Sequence, residues 1–362
     1  MILLALLLLT PYIITILKIS EGLSSVKRYL PKSNPSTFIS IIVPCKNEAT
    51  NLPYLLESIY NQDYDPANYE LIVVNDNSSD ATTSIALSFN KIANMHVISN
   101  TGVGKKAAIR SGVEEAKGEL IVTCDADCQM PNSWLRTIAD YYEKKHPDMI
   151  VCPVKLEGDG FASWFQKLEF ASLQGVTAGT IMKNNAIMCN GANLAFTKEV
   201  YEQNSENLYN NLPSGDDIFL LQSIKKDKDR IIDWLESDNV IVTTGCSSTL
   251  DSYLSQRARW ISKTGYYNDM YTIFVSLVTL IAVILQFTLC IMTLYDTVFF
   301  KAFATTFLVK SIPDYMIISN VAKRYGQKSA LKCFLPAQLV YPFYVIATIL
   351  KSLFGNNFFG KR

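Results

Sequence analysis

Leu120-Ile121-Val122-Thr123-Cys124-Asp125-Ala126-Asp127-Cys128 is the stretch on which the reading of this chain turns. A short β-forming run ends in two aspartates separated by one small residue. In an extended backbone, side chains two apart point the same way, so both carboxylates aim at one spot beyond the strand end. Paired hard oxygens suit Mg²⁺ or Mn²⁺, and an ion held there would in turn hold a diphosphate. Asp-x-Asp is also common in surface turns, so the flanking sequence has to decide.

Working outward, residues 38–43, 71–74 and 96–98 are further apolar runs, and residues 52–60, 81–89 and 105–116 show helical periodicity. Continuous β-rich runs alternating with helices are the pattern of βαβ units on a mostly parallel sheet. Such sheets bind ligands at the carboxyl ends of their strands. Pro44-Cys45-Lys46-Asn47-Glu48 and Asn75-Asp76-Asn77-Ser78-Ser79-Asp80 fall at those ends, as does the Asp-x-Asp. Turn formation or helix capping accounts for any one cluster, and Ser78 to Asp80 suit a cap. Three at successive strand ends point to a site.

Composition narrows the class. With 362 residues, 49% of them hydrophobic, the chain has room for one sizeable domain and for membrane-embedded sequence. Lys plus Arg equals Asp plus Glu at 33 each, so no overall field calls for nucleic acid. The eight cysteines include no C-x-x-C pair, which points to free thiols rather than zinc or disulfides. His96 and His146 are the two histidines and leave little material for a histidine-based triad.

Residues 1–19 read as an uncleaved membrane anchor, because Lys18, Lys27, Arg28 and Lys32 follow the apolar run instead of preceding it. That bias places the next domain on the cytoplasmic side of the cell (inner) membrane. Residues 271–294 form a clear span, with Gln286 the strongly polar member. Residues 298–321 form a second, which carries Lys301, Lys310, Pro313 and Asp314, and residues 333–353 a third. Lys323, Arg324, Lys328 and Lys332 make a basic inner loop, and Lys361 and Arg362 then fall outside, against the bias. Lys310 and Asp314 share a helical face, either pairing with each other or meeting a lipid headgroup. Phe161, Trp164, Phe165, Leu168 and Leu173 suggest a helix between residues 158 and 185 that covers the sheet or lies at the membrane interface.

With these segments laid out, the chain resembles the family 2 glycosyltransferases, and among them the membrane-integrated branch of cellulose, hyaluronan and chitin synthases and ceramide glucosyltransferases. The resemblance covers about residues 40–264. It implies a GT-A fold, a Rossmann-like α/β domain over residues 36–265 flanked by transmembrane helices. It also implies sugar transfer from a nucleotide-diphosphate donor, a UDP-sugar, with Mg²⁺ or Mn²⁺. Ile41-Ile42-Val43-Pro44-Cys45-Lys46-Asn47-Glu48 looks like the family's V-P-x-x-N-E and sets Pro44 and Glu48 at the donor. Val73 to Asp80 is similar to V-D-D-x-S-x-D, but Asn75 replaces the first aspartate and leaves Asp76 to recognise the base.

Gly104-Lys105-Lys106-Ala107-Ala108-Ile109-Arg110-Ser111-Gly112 resembles G-K-x-x-A-x-N-x-G, which puts Lys105 near the donor and Arg110 where asparagine is usual. Asp125 and Asp127 match the metal pair. In Cys189-Asn190-Gly191-Ala192-Asn193, Asn193 is expected at the acceptor. Pro213-Ser214-Gly215-Asp216-Asp217 falls at the family's catalytic acids, with Asp217 as base beside Asp216. Gln256-Arg257-Ala258-Arg259-Trp260 fits Q-x-x-R-W, so Gln256, Arg259 and Trp260 are expected at the donor, and Trp260 also at the acceptor.

The chemistry accounts for these residue types. Displacing a nucleoside diphosphate builds charge on the leaving phosphate, which a metal neutralises and Arg259 can grip with two parallel bonds. The acceptor hydroxyl needs a carboxylate base on the opposite face of the sugar, and a single displacement from that face inverts the anomeric centre. Trp260 offers a ring face to a sugar. Taken singly, Asp216 and Asp217 also suit a helix cap, Arg257 and Arg259 suit membrane-surface cations, and Trp260 suits an interfacial anchor. The acceptor is expected to be a lipid, a lipid-linked sugar or a glycan, with membrane lipids as neighbours and no nucleic acid. A processive polysaccharide synthase of the hyaluronan or cellulose type is the alternative, favoured by Q-x-x-R-W and disfavoured by the small number of spans. A catalytically silent sensor of nucleotide sugars and a nucleotidyltransferase are readings of other classes.

Overall fold

The computed structural model describes residues 1–208 and 215–354. Pro213, Ser214, Lys361 and Arg362 lie outside them. In chain order the strands are β1 (Ile39–Cys45), β2 (Tyr69–Asn75), β3 (Met95–Ser99), β4 (Leu120–Thr123), β5 (Met149–Val151), β6 (Val154–Glu157), β7 (Leu194–Thr197), β8 (Ile232–Trp234) and β9 (Val242–Gly245). The helices are α1 (Ile2–Ser25), α2 (Leu52–Tyr60), α3 (Thr82–Ser88), α4 (Lys105–Glu115), α5 (Trp134–Lys145), α6 (Phe161–Ile181), α7 (Lys198–Asn204), α8 (Asp216–Ile224), α9 (Leu250–Ile261), α10 (Met270–Met292), α11 (Thr297–Arg324) and α12 (Phe334–Phe354).

Two units share these elements. The α/β unit takes Val26–Leu156 and Met188–Gly245, and the helical unit takes Met1–Ser25, Glu157–Ile187 and the described residues from Cys246 to Phe354.

In the α/β unit the apolar runs become central strands because helices cover both faces of the sheet. Ile39, Ile41, Ile42 and Val43 of β1 are all buried, as are Leu71 to Val74 of β2 and Leu120 to Val122 of β4. The seven-stranded sheet runs β3-β2-β1-β4-β7-β5-β8. β1 pairs in parallel with β2 and β4, and β2 with β3, while β7 lies antiparallel to both β4 and β5. The register pairs Cys45 with Asn75 and Asn75 with Ser99, which levels the carboxyl ends of three strands. β6 and β9 form a separate two-stranded sheet. Gly112 lets α4 sit close on β1, since a Cβ there would stand 2.5 Å from Ile42 Cγ2.

In the helical unit α1 packs with α6, α10 and α11. A Cβ on Gly22 would stand 2.2 Å from the Gly179 carbonyl oxygen, and one on Gly179 would stand 2.3 Å from that of Ile19. The backbones of α1 and α6 therefore touch, an approach that small residues allow. Within the helical unit α6 packs against α1 and α11. α6 and α9, within the expected 36–265 domain, fall in the helical unit.

Among the described residues three helical runs are long and apolar enough to cross a membrane: Ile2–Ser25, Met270–Met292 and Lys328–Phe354. The first runs past the expected end at residue 19. The expected span over residues 298–321 forms as α11 but is not one of the three, because Lys310 and Asp314 lie in its middle. Their side chains are buried and bonded to each other at 2.6 Å, Asp314 also accepts from Tyr12 at 2.7 Å, and Lys310 donates to Gln338 at 3.2 Å. The pairing reading therefore holds for these two residues.

Candidate active site

The loops that follow β1 and β2 are knitted together. Asn47 and Asn77 hold left-handed backbone, with φ of 57° and 56°, a conformation asparagine tolerates better than most side chains. Asn47 N–H donates to Ser78 Oγ at 3.0 Å, Glu48 N–H to Thr82 Oγ1 at 2.7 Å and Ala49 N–H to Asp80 Oδ2 at 3.1 Å. Ser79 N–H returns a bond to Asn47 Oδ1 at 2.8 Å. Ser78 and Asp80 thus tie loop to loop, a job beyond the helix cap expected of them. The half-buried Glu48 accepts from Asn51 Nδ2 at 2.9 Å, and Pro44 stands beside Val74 in the sheet register.

Asp76, expected at the base, is buried and spends both oxygens inside the protein. Oδ1 accepts from Asn100 Nδ2 at 2.6 Å, and the Gly104 N–H meets Oδ1 at 3.0 Å and Oδ2 at 3.2 Å. Lys46 Nζ stands 3.7 Å from Oδ2. What the structure shows is that Asp76 shapes the turn from which α4 and Lys105 start. Asn100, one residue past the end of β3, was not singled out in the sequence. The rule that ligands gather at strand ends is the signal that would have found it.

Lys105 is the hub of the site. Its ammonium bonds Asp125 Oδ1 at 2.5 Å. A Cβ built on Gly191 would stand 3.4 Å from Lys105 Nζ, 3.4 Å from Asp216 Oδ2 and 3.4 Å from Asp217 Cβ, so these groups surround one point. Burial pulls the ammonium's pKa down, but the carboxylates of Asp125, Asp216 and Asp217 outweigh it, and the net shift is upward. Asp217 Oδ2 accepts from Gly191 N–H at 3.1 Å and its Oδ1 from Ile218 N–H at 2.8 Å. Thr123 Oγ1, at the end of β4, donates to the Gly191 carbonyl at 3.0 Å and so ties the Asp-x-Asp strand to this loop. Asp216 and Asp217 form the first turn of α8, whose N-cap is Gly215 and not either aspartate, and they face a cation contributed by a different helix.

The donor set fits a divalent ion. Burial, and then the neighbouring Asp125, hold the Asp127 carboxyl above the usual carboxylate range, although Asp127 is exposed at the surface. Thr244 Oγ1, missed by sequence reasoning, partly offsets this by donating to Asp127 Oδ2 at 3.0 Å. Negative charge crowded on two hard carboxylates suits Mg²⁺ or Mn²⁺. Among the described residues no group of three or more His, Cys, Asp or Glu side chains makes a complete cage. Such an ion would draw its remaining ligands from water and phosphate, as Mg²⁺ commonly does.

Asn193 is corrected. It is wholly buried, its Nδ2 donates to the Pro153 and Val240 carbonyls at 2.7 Å each, and its Oδ1 accepts from Trp134 Nε1 at 2.9 Å. With its amide spent in the core, Asn193 does not reach an acceptor.

Gln256, Arg259 and Trp260 lie on α9 in the helical unit. Arg257, read from sequence as a surface cation, is buried and bonded to Glu169.

A mostly parallel α/β sheet with a polar cluster at its strand ends defines a Rossmann-like α/β class, and comparison with known proteins sharpens it. Residues 40–204 match the family model "Glycosyl transferase family 2". The glycosyltransferase AglE of Haloferax volcanii is 34% identical over 100 residues, 27% of this chain and 33% of that protein. An undecaprenyl-phosphate 4-deoxy-4-formamido-L-arabinose transferase of Proteus mirabilis is 33% identical over 133 residues, 36% of this chain and 40% of that protein. The chain thus matches well under half the length of these relatives. Among solved structures, the mannosyltransferase PcManGT of Pyrobaculum calidifontis, in complex with GDP-Man and Mn²⁺, aligns with a TM-score of 0.64 and 16% identity over 98% of this chain and 99% of that one. The shared fold is GT-A.

Proposed function

We propose that the protein is an inverting, metal-dependent glycosyltransferase. In this reading it moves a sugar from a nucleoside-diphosphate donor, a UDP-sugar, to a hydroxyl of a lipid or lipid-linked acceptor at the inner face of the cell membrane. The observation that carries this reading is the meeting of Lys105, Asp125, Asp216 and Asp217 at one point. A module that only binds a nucleotide sugar has no use for a base. Three helices able to span a membrane, and a relative named for undecaprenyl phosphate, support a lipid acceptor. The basic residues after α1 support a cytoplasmic α/β unit.

Asp125 and Asp127 would hold the metal, which supplies positive charge to offset that growing on the leaving diphosphate. Lys105 adds a second cation there. Pro44 and Glu48 serve the nucleoside end, Asp76 holds the turn that carries Lys105, and the resemblance implies donor and acceptor contacts for Gln256, Arg259 and Trp260. Asp217 takes the proton of the acceptor hydroxyl as its oxygen bonds the anomeric carbon and the bond from that carbon to the diphosphate oxygen breaks.

The test is a panel of UDP- and GDP-sugars incubated with membranes containing the protein, with Mg²⁺, Mn²⁺ or a chelator. Metal-dependent release of nucleoside diphosphate is expected, and its loss in Asp125→Ala and Asp217→Asn. Turnover that survives both substitutions overturns the reading. Pyrophosphate release would show nucleotidyl transfer, and a ladder of long products would show a processive synthase.

A further inference from the structure

Arg257 occupies one of the unspecified positions of Q-x-x-R-W, yet it is the buried arginine of the pair and Arg259 the half-buried one. Its guanidinium is held from α6: Nε lies 3.1 Å and 3.2 Å from the two Glu169 oxygens, and Nη2 lies 2.6 Å from Oε2. Tyr344 Oη of α12 donates to Glu169 Oε1 at 3.4 Å, so the carboxylate is itself fixed. From this anchored position Arg257 touches two residues of the motif. Nη1 donates to Gln256 Oε1 at 2.6 Å, which sets the amide so that its NH₂ group turns away from the guanidinium. The guanidinium carbon lies 4.1 Å from the centre of the Trp260 ring and 4.9 Å from that of Tyr253. Stacking on an arginine plane fixes the tilt of an indole.

We infer that Arg257, held by Glu169, is a positioning residue that fixes the orientation of the Gln256 amide and the Trp260 indole. The inference rests on the proposed glycosyltransferase reading for what those two side chains meet. Its geometric content stands without that reading. Lysine at this position can pair with Glu169 and, having three donors, reach Gln256, but it has no guanidinium plane to set over the Trp260 ring. A purely structural pair would lose stability on the exchange with Trp260 emission and KM unmoved, whereas the loss of a positioning residue moves both readouts.

The experiment uses the full chain in detergent micelles, with folding checked by circular dichroism and a thermal melt. Trp260 emission is isolated as the difference between each protein and its Trp260→Phe counterpart. Arg257→Lys is expected to shift that emission to the red and to raise the KM for the UDP-sugar that turns over by about tenfold or more, with kcat changed far less. Glu169→Gln is expected to move both readouts the same way by a smaller factor. If Arg257→Lys does not fold, Glu169→Leu combined with Arg257→Met removes both charges together, an exchange buried pairs often tolerate. That double variant is expected to fold and to show the same red shift. A folded Arg257→Lys or double variant with parental Trp260 emission overturns the inference. If the parent protein turns over no nucleotide sugar, the functional reading fails, and the emission spectra still decide whether Arg257 positions Trp260.

Discussion

In the α/β unit Lys105 meets Asp125 with 33% and 38% of the two side chains open to solvent, whereas in the helical unit Arg257 and Glu169 keep 5% and 7%. Each cation sits among carboxylates, and the difference in solvent access separates their uses. Water and salt screen the Lys105 cluster, so its partners can exchange at modest cost, as a site that admits a metal and a diphosphate requires. The Arg257 pair is desolvated and bonded three times over, and breaking one side leaves a charge with no water to take it. One cluster is made to be rearranged and the other to hold still.

The comparison can be broken most directly at its reactive end. Asp217→Asn should lower kcat for transfer to a hydroxyl acceptor by about 10²- to 10⁴-fold with donor binding retained, which a titration with nucleoside diphosphate would check. A phosphate-bearing acceptor arrives ionised, so the same variant should lose far less with it, and equal losses would remove Asp217 from the base role.

At the static end, Arg257→Met alone should cost about 3–5 kcal/mol in denaturant unfolding, because Glu169 is left buried and unpaired. Adding Glu169→Leu should recover most of that loss. If the single variant costs as little as a surface pair, the contrast between the clusters collapses.

Lys105→Met is the counterpart in the open cluster. It should change stability by less than about 1 kcal/mol and tighten Mn²⁺ binding to the donor-free protein in calorimetry, since Asp125 loses its competing cation. Weaker Mn²⁺ binding would mean that the ammonium helps to build the metal site. The smallest effect is that of salt. Raising ionic strength from 0.1 M to 1 M shortens the screening length from about 10 Å to about 3 Å, which should weaken Mn²⁺ binding at Asp125 and Asp127 while leaving Trp260 emission unchanged.

Much of this architecture was readable because it is local. β1 and β4 bury nearly all the apolar residues of their runs, so their continuous hydrophobicity announced a parallel sheet, and residues 52–60 and 120–123 form the expected elements to the residue. The Asp-x-Asp was visible as a strand end followed by acids. Asn193 misled because an amide next to a flagged loop looks the same whether it faces solvent or staples the core. The carbonyls of Pro153 and Val240 that claim it lie 40 and 47 residues away. Residues 158–185 left two readings open for a similar reason: a mixed aromatic face suits several surroundings, while the approach of Gly22 to Gly179 that packs α6 on α1 depends on residues far apart in sequence.

By itself the sequence determined the alternation of strands and helices, the polar clusters at the strand ends and the three apolar helices, because periodicity and composition act over a few neighbouring residues. Only the tertiary structure decided which cation meets which carboxylate. Lys105 and Asp125 are 20 residues apart and Arg257 and Glu169 are 88 apart. Within Q-x-x-R-W both arginines carry the same charge on the same helix. Burial against α6 made Arg257 the anchored one, since a desolvated guanidinium persists only where a carboxylate and ring faces take the place of water.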